Sequence, residues 1–136
     1  MRILVRSPNW IGDVVMSMPV VRALRKNFSD SEIIVIAKKT ISLLWSLNPD
    51  INGLLEIQGF FSTIKKIREG NFDIAIILPN SFKSALMIYL AGVPERIGYA
   101  TECRGFLLTE KIPLPINGFR KKHLIEEYLD ILIFVS

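Results

Sequence analysis

The segment SPNWIGD, Ser7 to Asp13, contains the residues of this chain that are best suited to chemistry. It follows an apolar run and opens a helical pattern, so Asp13 lies near a helix N-terminus, where the helix dipole favours the ionised carboxylate. Such a carboxylate can act as a general base, and Gly12 beside it leaves room for a ligand. The alternative is that Asp13 only caps the helix. Trp10 either stacks on the ligand or fills the loop against the core.

The same loop lacks the two common phosphate-binding patterns. A dinucleotide-binding loop reads GxGxxG, whereas this loop has one glycine and a bulky Trp10 where a pyrophosphate needs space. The P-loop pattern GxxxxGK(S/T) does not occur. The single His123 cannot build a metal cluster or a catalytic triad, and the single Cys103 is interpreted as an inert thiol. We therefore expect neither a metal nor a cofactor.

The elements that position this loop alternate between strand and helix. Four short β-branched runs and a fifth strand-like piece are predicted as strands: Arg2 to Arg6, Glu32 to Ala37, Gly53 to Ile57, Phe72 to Leu78 and Arg96 to Tyr99. Their continuous apolar stretches are typical of strands buried on both faces of a parallel sheet. The sequence thus predicts an α/β fold, a Rossmann-like parallel sheet of order 3-2-1-4-5 flanked by helices on both faces. Ligands of such sheets bind outside the carboxyl ends of the strands, where Ser7 to Asp13 lies.

Helical periodicity predicts which residues pack on the sheet. One stripe is Val14, Met18, Val21 and Leu24, and another is Phe82, Ala85, Leu86, Tyr89 and Leu90. Pro19 predicts a kink near Val15 to Met18, and Asn80 or Ser81 is the expected N-cap of the second helix. A further amphipathic helix is predicted over Lys121 to Phe134. The abrupt apolar ending predicts exposed apolar surface around Leu132 to Val135 and a chain that continues.

Length, hydropathy and charge limit the class of protein. The 136 residues fit one domain, residues 1–136, and no apolar run reaches the 18 or more residues of a membrane span. The N-terminus lacks the apolar core of a signal peptide, which favours the cytoplasm. The net charge of +4 suits an anionic partner. The basic clusters at Lys38–Lys39 and Lys65 to Arg68 alternatively form solvated helix ends. No nucleic-acid partner is expected, because no basic stripe interleaved with aromatic residues occurs.

Three segments carry a family resemblance: RSPNWIGDVVMSMPVVRALR, LPNSFKSALMIYLAGVPERIGY and RKKHLIEEYLDIL. In order along the chain they resemble the ADP-heptose:lipopolysaccharide heptosyltransferases of glycosyltransferase family nine, most closely the heptosyltransferase II branch. The resemblance implies a GT-B enzyme with two Rossmann-like domains, of which this chain is the N-terminal, acceptor-binding one. The donor-binding C-terminal domain is absent, so the chain alone is expected to bind but hardly to turn over.

The resemblance also implies a reaction and a site. The reaction is an inverting, metal-independent transfer of heptose from ADP-heptose to the heptosyl-Kdo-lipid A inner core, with Asp13 in the position of the proposed general base. The expected substrate-binding residues are Asn9, Trp10, Gly12, Asn80, Ser81, Lys83, Arg96, Arg120 and Lys122. The cations would bind the anionic acceptor, although Arg96 is equally well a simple surface cation, and Asn80 and Ser81 equally well helix caps. Contact with the membrane is expected to be peripheral.

Two alternatives from other classes stay open. The first is a sugar- or nucleotide-binding Rossmann-like module that is complete at 136 residues and has no catalytic activity. The second is a GT-B transferase that uses another nucleotide sugar, because donor choice is encoded outside this chain.

Overall fold

The computed structural model describes residues 1–79, 81–99 and 105–112, in which strands and helices alternate. In chain order the elements are β1 (Arg2–Arg6), α1 (Ile11–Asn27), β2 (Glu32–Lys38), α2 (Lys39–Ser46), β3 (Gly53–Ile57), α3 (Phe60–Glu69), β4 (Ile74–Ile77), α4 (Phe82–Leu90), β5 (Glu95–Tyr99), a 3-10 turn (Gly105–Leu107) and β6 (Glu110–Ile112). The five predicted strands are all present, with β4 shorter than predicted because Phe72 and Asp73 precede its ladder.

The strands form one parallel sheet in the order β3-β2-β1-β4-β5-β6. The predicted order 3-2-1-4-5 is confirmed, and β6 extends it beyond β5 through pairs such as Gly98 with Lys111. Strand β1 lies in the centre, where Val5 faces Val35 of β2 on one side and Ile76 of β4 on the other. The chain first winds outward from β1 to β3 and then crosses back to β4. The winding direction therefore reverses between β1 and β4, and the carboxyl edge at this point is where ligands of open parallel sheets bind.

Helices cover both faces of the sheet, as predicted. Alternate strand residues point to opposite faces, so Ile3 and Val5 pack with α1 and α2, whereas Leu4 and Ile77 pack with α3 and α4. On the first face, Val14, Val21 and Leu24 of the predicted α1 stripe are fully buried, and Met18 packs against them partly buried. Pro19 lies within α1 without ending it, and the kink stays a prediction.

The predicted face of α4 needs correction. Ala85 is buried as expected, but Phe82, Tyr89 and Leu90 are exposed, and the residues that face the sheet are Ser84, Ala85, Met87 and Ile88. The sequence FKSALMIYL is apolar nearly all round, so periodicity alone could not fix which side turns inward. The N-cap does fix where the helix starts: the Ser81 hydroxyl accepts from the Ser84 backbone N–H at 3.3 Å, which confirms Ser81 as the cap.

Several expectations fall on residues outside those that the structure describes. They concern Asn80, Cys103, Arg120, Lys122, His123, the helix predicted over residues 121–134 and the apolar surface at 132–135. Among the described helices, none has the length and apolar character required to cross a bilayer.

A buried tryptophan fixes the end of β1. Trp45 of α2 is fully buried, and its indole N–H donates to the Ser7 hydroxyl oxygen at 2.8 Å. The Ser7 hydroxyl in turn donates to the Pro8 carbonyl at 2.8 Å, and the Ser7 backbone N–H donates to the Ile36 carbonyl of β2 at 2.9 Å. These bonds attach the start of the Ser7 to Asp13 loop to α2 and to β2, so the loop leaves the sheet in one direction.

Ser7→Ala is expected to destabilise the fold without a large change in shape. It leaves the buried indole N–H of Trp45 without an acceptor, which costs about 1–3 kcal/mol. The free energy of unfolding from urea denaturation measures this cost, with Ser29→Ala at an exposed position as the matched control. Equal stability of the two variants would show that the Trp45–Ser7 bond contributes nothing.

Candidate functional site

A cavity of about 140 Å³ opens at the carboxyl edge of the sheet, beside the point where the winding reverses. Its lining is contributed by the ends of β1, β2 and β3, the loop after β1, the start of α3, and α4 with its N-cap: Arg6, Asn9, Lys38, Ile57, Gln58, Phe60, Ser81, Lys83, Ser84 and Met87. We call this the strand-end cavity. It brings together three residues predicted for the site, namely Asn9, Ser81 and Lys83.

The strand-end cavity is rich in hydrogen-bond donors because three neighbouring strands finish with long polar side chains. Arg6 is the last residue of β1, Lys38 is the last residue of β2, and Gln58 follows β3 directly. Parallel strands direct their carboxyl ends to the same edge, so these side chains meet there. Lys83 joins them from α4, with its ammonium 5.8 Å from the centre of the Phe60 ring, a cation–π arrangement.

Arg6 is the most unusual of these residues because it is a buried cation. Only 6% of its surface is exposed, and burial lowers the pKa of its guanidinium to about 10. The group is therefore still charged at neutral pH. Since the folded-state pKa lies below that of the unfolded chain, the cost of burying the charge applies in full at pH 7, and stability increases only as pH rises through about 10. Within the described part of the chain, Arg6 forms no ion pair.

The other predicted site residues in the loop lie next to the strand-end cavity rather than in its wall. Trp10 is 75% exposed, so the alternative in which it fills the core is wrong, and its ring is free to contact a ligand. Gly12 stands beside open space, because a Cβ placed on it would meet no atom within 4 Å. Asp13 lies in the first turn of α1 and is half-buried.

The structure gives no support to Asp13 as a helix cap. The N-cap of α1 is Trp10, and no side chain caps this helix. The Asp13 carboxylate forms no hydrogen bond with the residues that the structure describes, so both of its oxygens remain available to accept a proton or a hydrogen bond. No group of three described His, Cys, Asp or Glu residues is placed to hold a metal ion.

Arg96 lies away from this edge, and its contact with the acceptor stays a prediction. It pairs with Ala75 near the start of β4 and thus lies toward the amino edge of the sheet. Its guanidinium donates to the Leu107 carbonyl at 2.6 Å and the Val93 carbonyl at 2.7 Å, and it lies 5.0 Å from the centre of the Tyr89 ring. Through its Nε and Nη1 donors the side chain therefore holds the segment before β6 against α4 and β5.

Arg6 and Gln58 were not among the residues predicted for the site, and Lys38 was predicted only within a basic cluster that either suits an anionic partner or forms a solvated helix end. A signal for Arg6 and Lys38 was present in the sequence. RILVR and EIIVIAK end apolar runs with a cation, and residues that end a buried parallel strand lie at the ligand-binding edge. The burial of Arg6 had no such signal, because arginine is almost always solvated.

The profile of glycosyltransferase family 9 (heptosyltransferase) matches residues 60–133, which is more than half of the chain. The chain belongs to this family. It is 38% identical over 119 residues to lipopolysaccharide heptosyltransferase 2 of Escherichia coli K12, an alignment that covers 81% of this chain and 34% of that protein. The family assignment from the three sequence segments is therefore confirmed.

Solved structures of family 9 agree with the fold. The structure of E. coli ADP-heptose lps heptosyltransferase II superposes with a TM-score of 0.85 and 34% identity, covering 96% of this chain and 40% of that one. A family 9 glycosyl transferase from Veillonella parvula superposes with a TM-score of 0.80 at 21% identity and covers 99% of this chain and 41% of that one, which supports the fold alone. The chain spans about a third of the length of the curated heptosyltransferase 2 proteins that it matches.

Gly12→Ala separates a ligand role from a folding role. The added methyl group meets nothing in the protein, and alanine stabilises helical positions relative to glycine by roughly 0.5–1 kcal/mol. We expect a melting temperature equal to or above that of the parent together with weaker ligand binding, measured by thermal denaturation and calorimetry. Unchanged binding would show that no ligand approaches this backbone.

Arg96→Met tests the structural interpretation of this cation. Loss of two hydrogen bonds to carbonyls from a charged donor is expected to lower the free energy of unfolding by about 1–3 kcal/mol while ligand binding at the carboxyl edge is unchanged. Lys65→Met, at an exposed position of α3, is the matched control in urea denaturation. Weaker ligand binding with an unchanged free energy of unfolding would show that Arg96 takes part in ligand binding.

Proposed function

We propose that this chain is the acceptor-binding part of an inverting heptosyltransferase that transfers heptose from ADP-heptose to the heptosyl-Kdo-lipid A inner core. The observation that carries the proposal is the 34% identity and TM-score of 0.85 to the E. coli ADP-heptose lps heptosyltransferase II over 96% of this chain. The cationic cavity at the carboxyl edge supports it, because the acceptor is anionic. We propose that the groups that bind the donor diphosphate belong mainly to a second domain outside this chain.

Asp13 is proposed as the general base. Inversion requires a single displacement, in which the acceptor oxygen forms a bond to the anomeric carbon of heptose while the bond from that carbon to ADP breaks. The electron pair leaves with ADP, and the acceptor hydroxyl loses its proton. A carboxylate within hydrogen-bond reach accepts that proton. Asp13 suits this role because none of the described residues occupies its oxygens. No metal or cofactor takes part in this scheme.

The loop around Asp13 is proposed to hold the acceptor. Trp10 presents an exposed ring on which a sugar face can stack, and Gly12 lets the ligand approach the backbone. Asn9 and Lys83 line the neighbouring cavity and supply a polar side chain and a cation. Ser81 also lines the cavity, but its hydroxyl already caps α4.

We further propose that the enzyme works at the cytoplasmic face of the inner membrane through peripheral contact. The lipid part of the acceptor lies in that membrane. Exposed Leu43 of α2 and Leu47 directly after it provide apolar groups for a weak surface association, and Lys38 and Lys39 at the other end of α2 provide basic groups.

Asp13→Asn is the decisive variant. The chain is joined in frame to the remainder of E. coli lipopolysaccharide heptosyltransferase 2, and transfer from ADP-heptose to heptosyl-Kdo-lipid A is followed by mass spectrometry. Loss of the base is expected to slow transfer by about a hundred- to ten-thousand-fold, with acceptor affinity and melting temperature little changed.

Asp30→Asn is the matched control, because it makes the same chemical change at an exposed turn after α1. Transfer by the Asp13 variant within about threefold of the parent would remove Asp13 from the mechanism. A folded parent fusion that binds acceptor and donor without transferring heptose would contradict the proposed function itself.

A further inference from the structure

Arg6 has hydrogen-bonding capacity that the protein does not use. A guanidinium carries five N–H donors. In the described structure Nη1 donates to the Ser7 carbonyl at 2.7 Å, and Nη2 has one long contact, 3.4 Å, to Asn9 Oδ1. Nε is buried and has no hydrogen-bond partner. The edge formed by Nε and Nη2 is thus the least satisfied part of a side chain that is 94% buried.

A buried arginine without a carboxylate partner is energetically unfavourable for folding alone. Buried charges in proteins are nearly always paired, because removing an ion from water costs several kcal/mol even after relaxation. Among the described residues that line the cavity with Arg6, the other charged ones are the cations Lys38 and Lys83, and none is an aspartate or glutamate. Folding therefore collects three positive charges around one space and leaves them uncompensated by the described residues.

The size of the strand-end cavity limits what can enter it. Pockets for whole small molecules usually measure about 300–1,000 Å³, whereas this space is about 140 Å³. It accepts one functional group of a larger ligand. Ile57, Phe60 and Met87 give the wall apolar surface beside the donors of Arg6 and Gln58, a mixture that suits an anionic group carried on a carbon skeleton.

We propose that the strand-end cavity is a binding site for one oxyanion, a carboxylate or phosphate group of the acceptor, held by the Arg6 guanidinium. A carboxylate or phosphate group can accept from two neighbouring guanidinium nitrogens at once, and Nε and Nη2 are the nitrogens of Arg6 with the least hydrogen bonding. Lys38 and Lys83 add positive charge from the other walls. The statement that the oxyanion belongs to the acceptor rests on the proposed function, whereas the oxyanion site itself does not. Asn9 connects this site to the loop that carries Asp13, so the anion would set the position of the acceptor hydroxyl.

The Arg6 side chain reports binding directly in the unmodified 136-residue chain. We would follow its Nε–H resonance by NMR during titration with sodium acetate, inorganic phosphate and free Kdo, using sodium chloride at equal ionic strength as the reference. A saturable shift with an oxyanion that chloride does not produce is the expected result. Acetate and Kdo acting more strongly than phosphate would assign a carboxylate, and the reverse order a phosphate group. No saturable shift with any of the three overturns the proposal.

Substitutions test whether oxyanion binding depends on the paired donors of the planar guanidinium as well as on its charge. Arg6→Met is expected to weaken oxyanion binding at least about tenfold, since hydrogen bonds to charged groups are lost. Arg6→Lys keeps the charge but cannot bind side-on, so an intermediate loss is expected. Lys26→Met removes the same charge in the last turn of α1, distant from the cavity, and is expected to change binding less than twofold. An equal loss of oxyanion affinity in the Lys26→Met and Arg6→Met variants would show that only net charge matters and would overturn the proposal.

Stability provides an independent readout. Because Arg6 is a buried, unpaired cation, Arg6→Met is expected to melt no lower than the parent, which separates lost binding from lost folding. If the Arg6→Met variant melts at a lower temperature, the Arg6→Lys variant and the NMR titration of the parent chain still test whether Arg6 binds an oxyanion. If Arg6 binds an oxyanion but the Asp13→Asn variant keeps full activity, the assignment of Asp13 as general base is contradicted and the anion site is retained. If neither Arg6 variant changes acceptor binding, the anion site is contradicted as an acceptor site and the assignment of Asp13 as general base is unaffected.

Discussion

The central position of β1 is the constraint on which the rest of the structure depends. Because β1 pairs with β2 on one side and β4 on the other, its residues are buried on both faces and its carboxyl end opens at the point where the winding direction reverses. Everything proposed for function begins there: Arg6 ends the strand, Ser7 starts the loop, and Asp13 follows in the first turn of α1. A parallel sheet with a different central strand would separate Arg6 from Lys38 and Lys83.

The loop after β1 is held from α2, an element that contributes nothing to the cavity wall. Trp45 donates to the Ser7 hydroxyl from within the core, and the Ser7 backbone donates to β2. Exposed loop residues such as Trp10 can then face solvent while the start of the loop stays fixed. This division between a buried anchor and an exposed contact surface is what a binding loop on a rigid sheet requires.

At the carboxyl edge of the sheet, one residue is unfavourable for the stability of the fold. Arg6 is buried, its pKa is lowered by burial, and it has no partner of opposite charge among the described residues. An apolar residue at the end of β1 would suit folding better. Local conflicts of this kind concentrate at functional sites, where a ligand rather than the protein supplies the missing interaction.

The sequence by itself determined the strands, their parallel order and the loop that carries Asp13, because apolar runs of strand length and right-handed crossovers leave few other topologies. It also determined the family, through segments such as LPNSFKSALMIYLAGVPERIGY. Only the tertiary structure decided which face of α4 is buried and that Arg96 binds carbonyls near the amino edge. It alone showed that Arg6, Lys38 and Lys83 share one cavity. The physical reason is distance along the chain: these contacts join strands and helices that only the folded sheet brings side by side, and local periodicity carries no information about them.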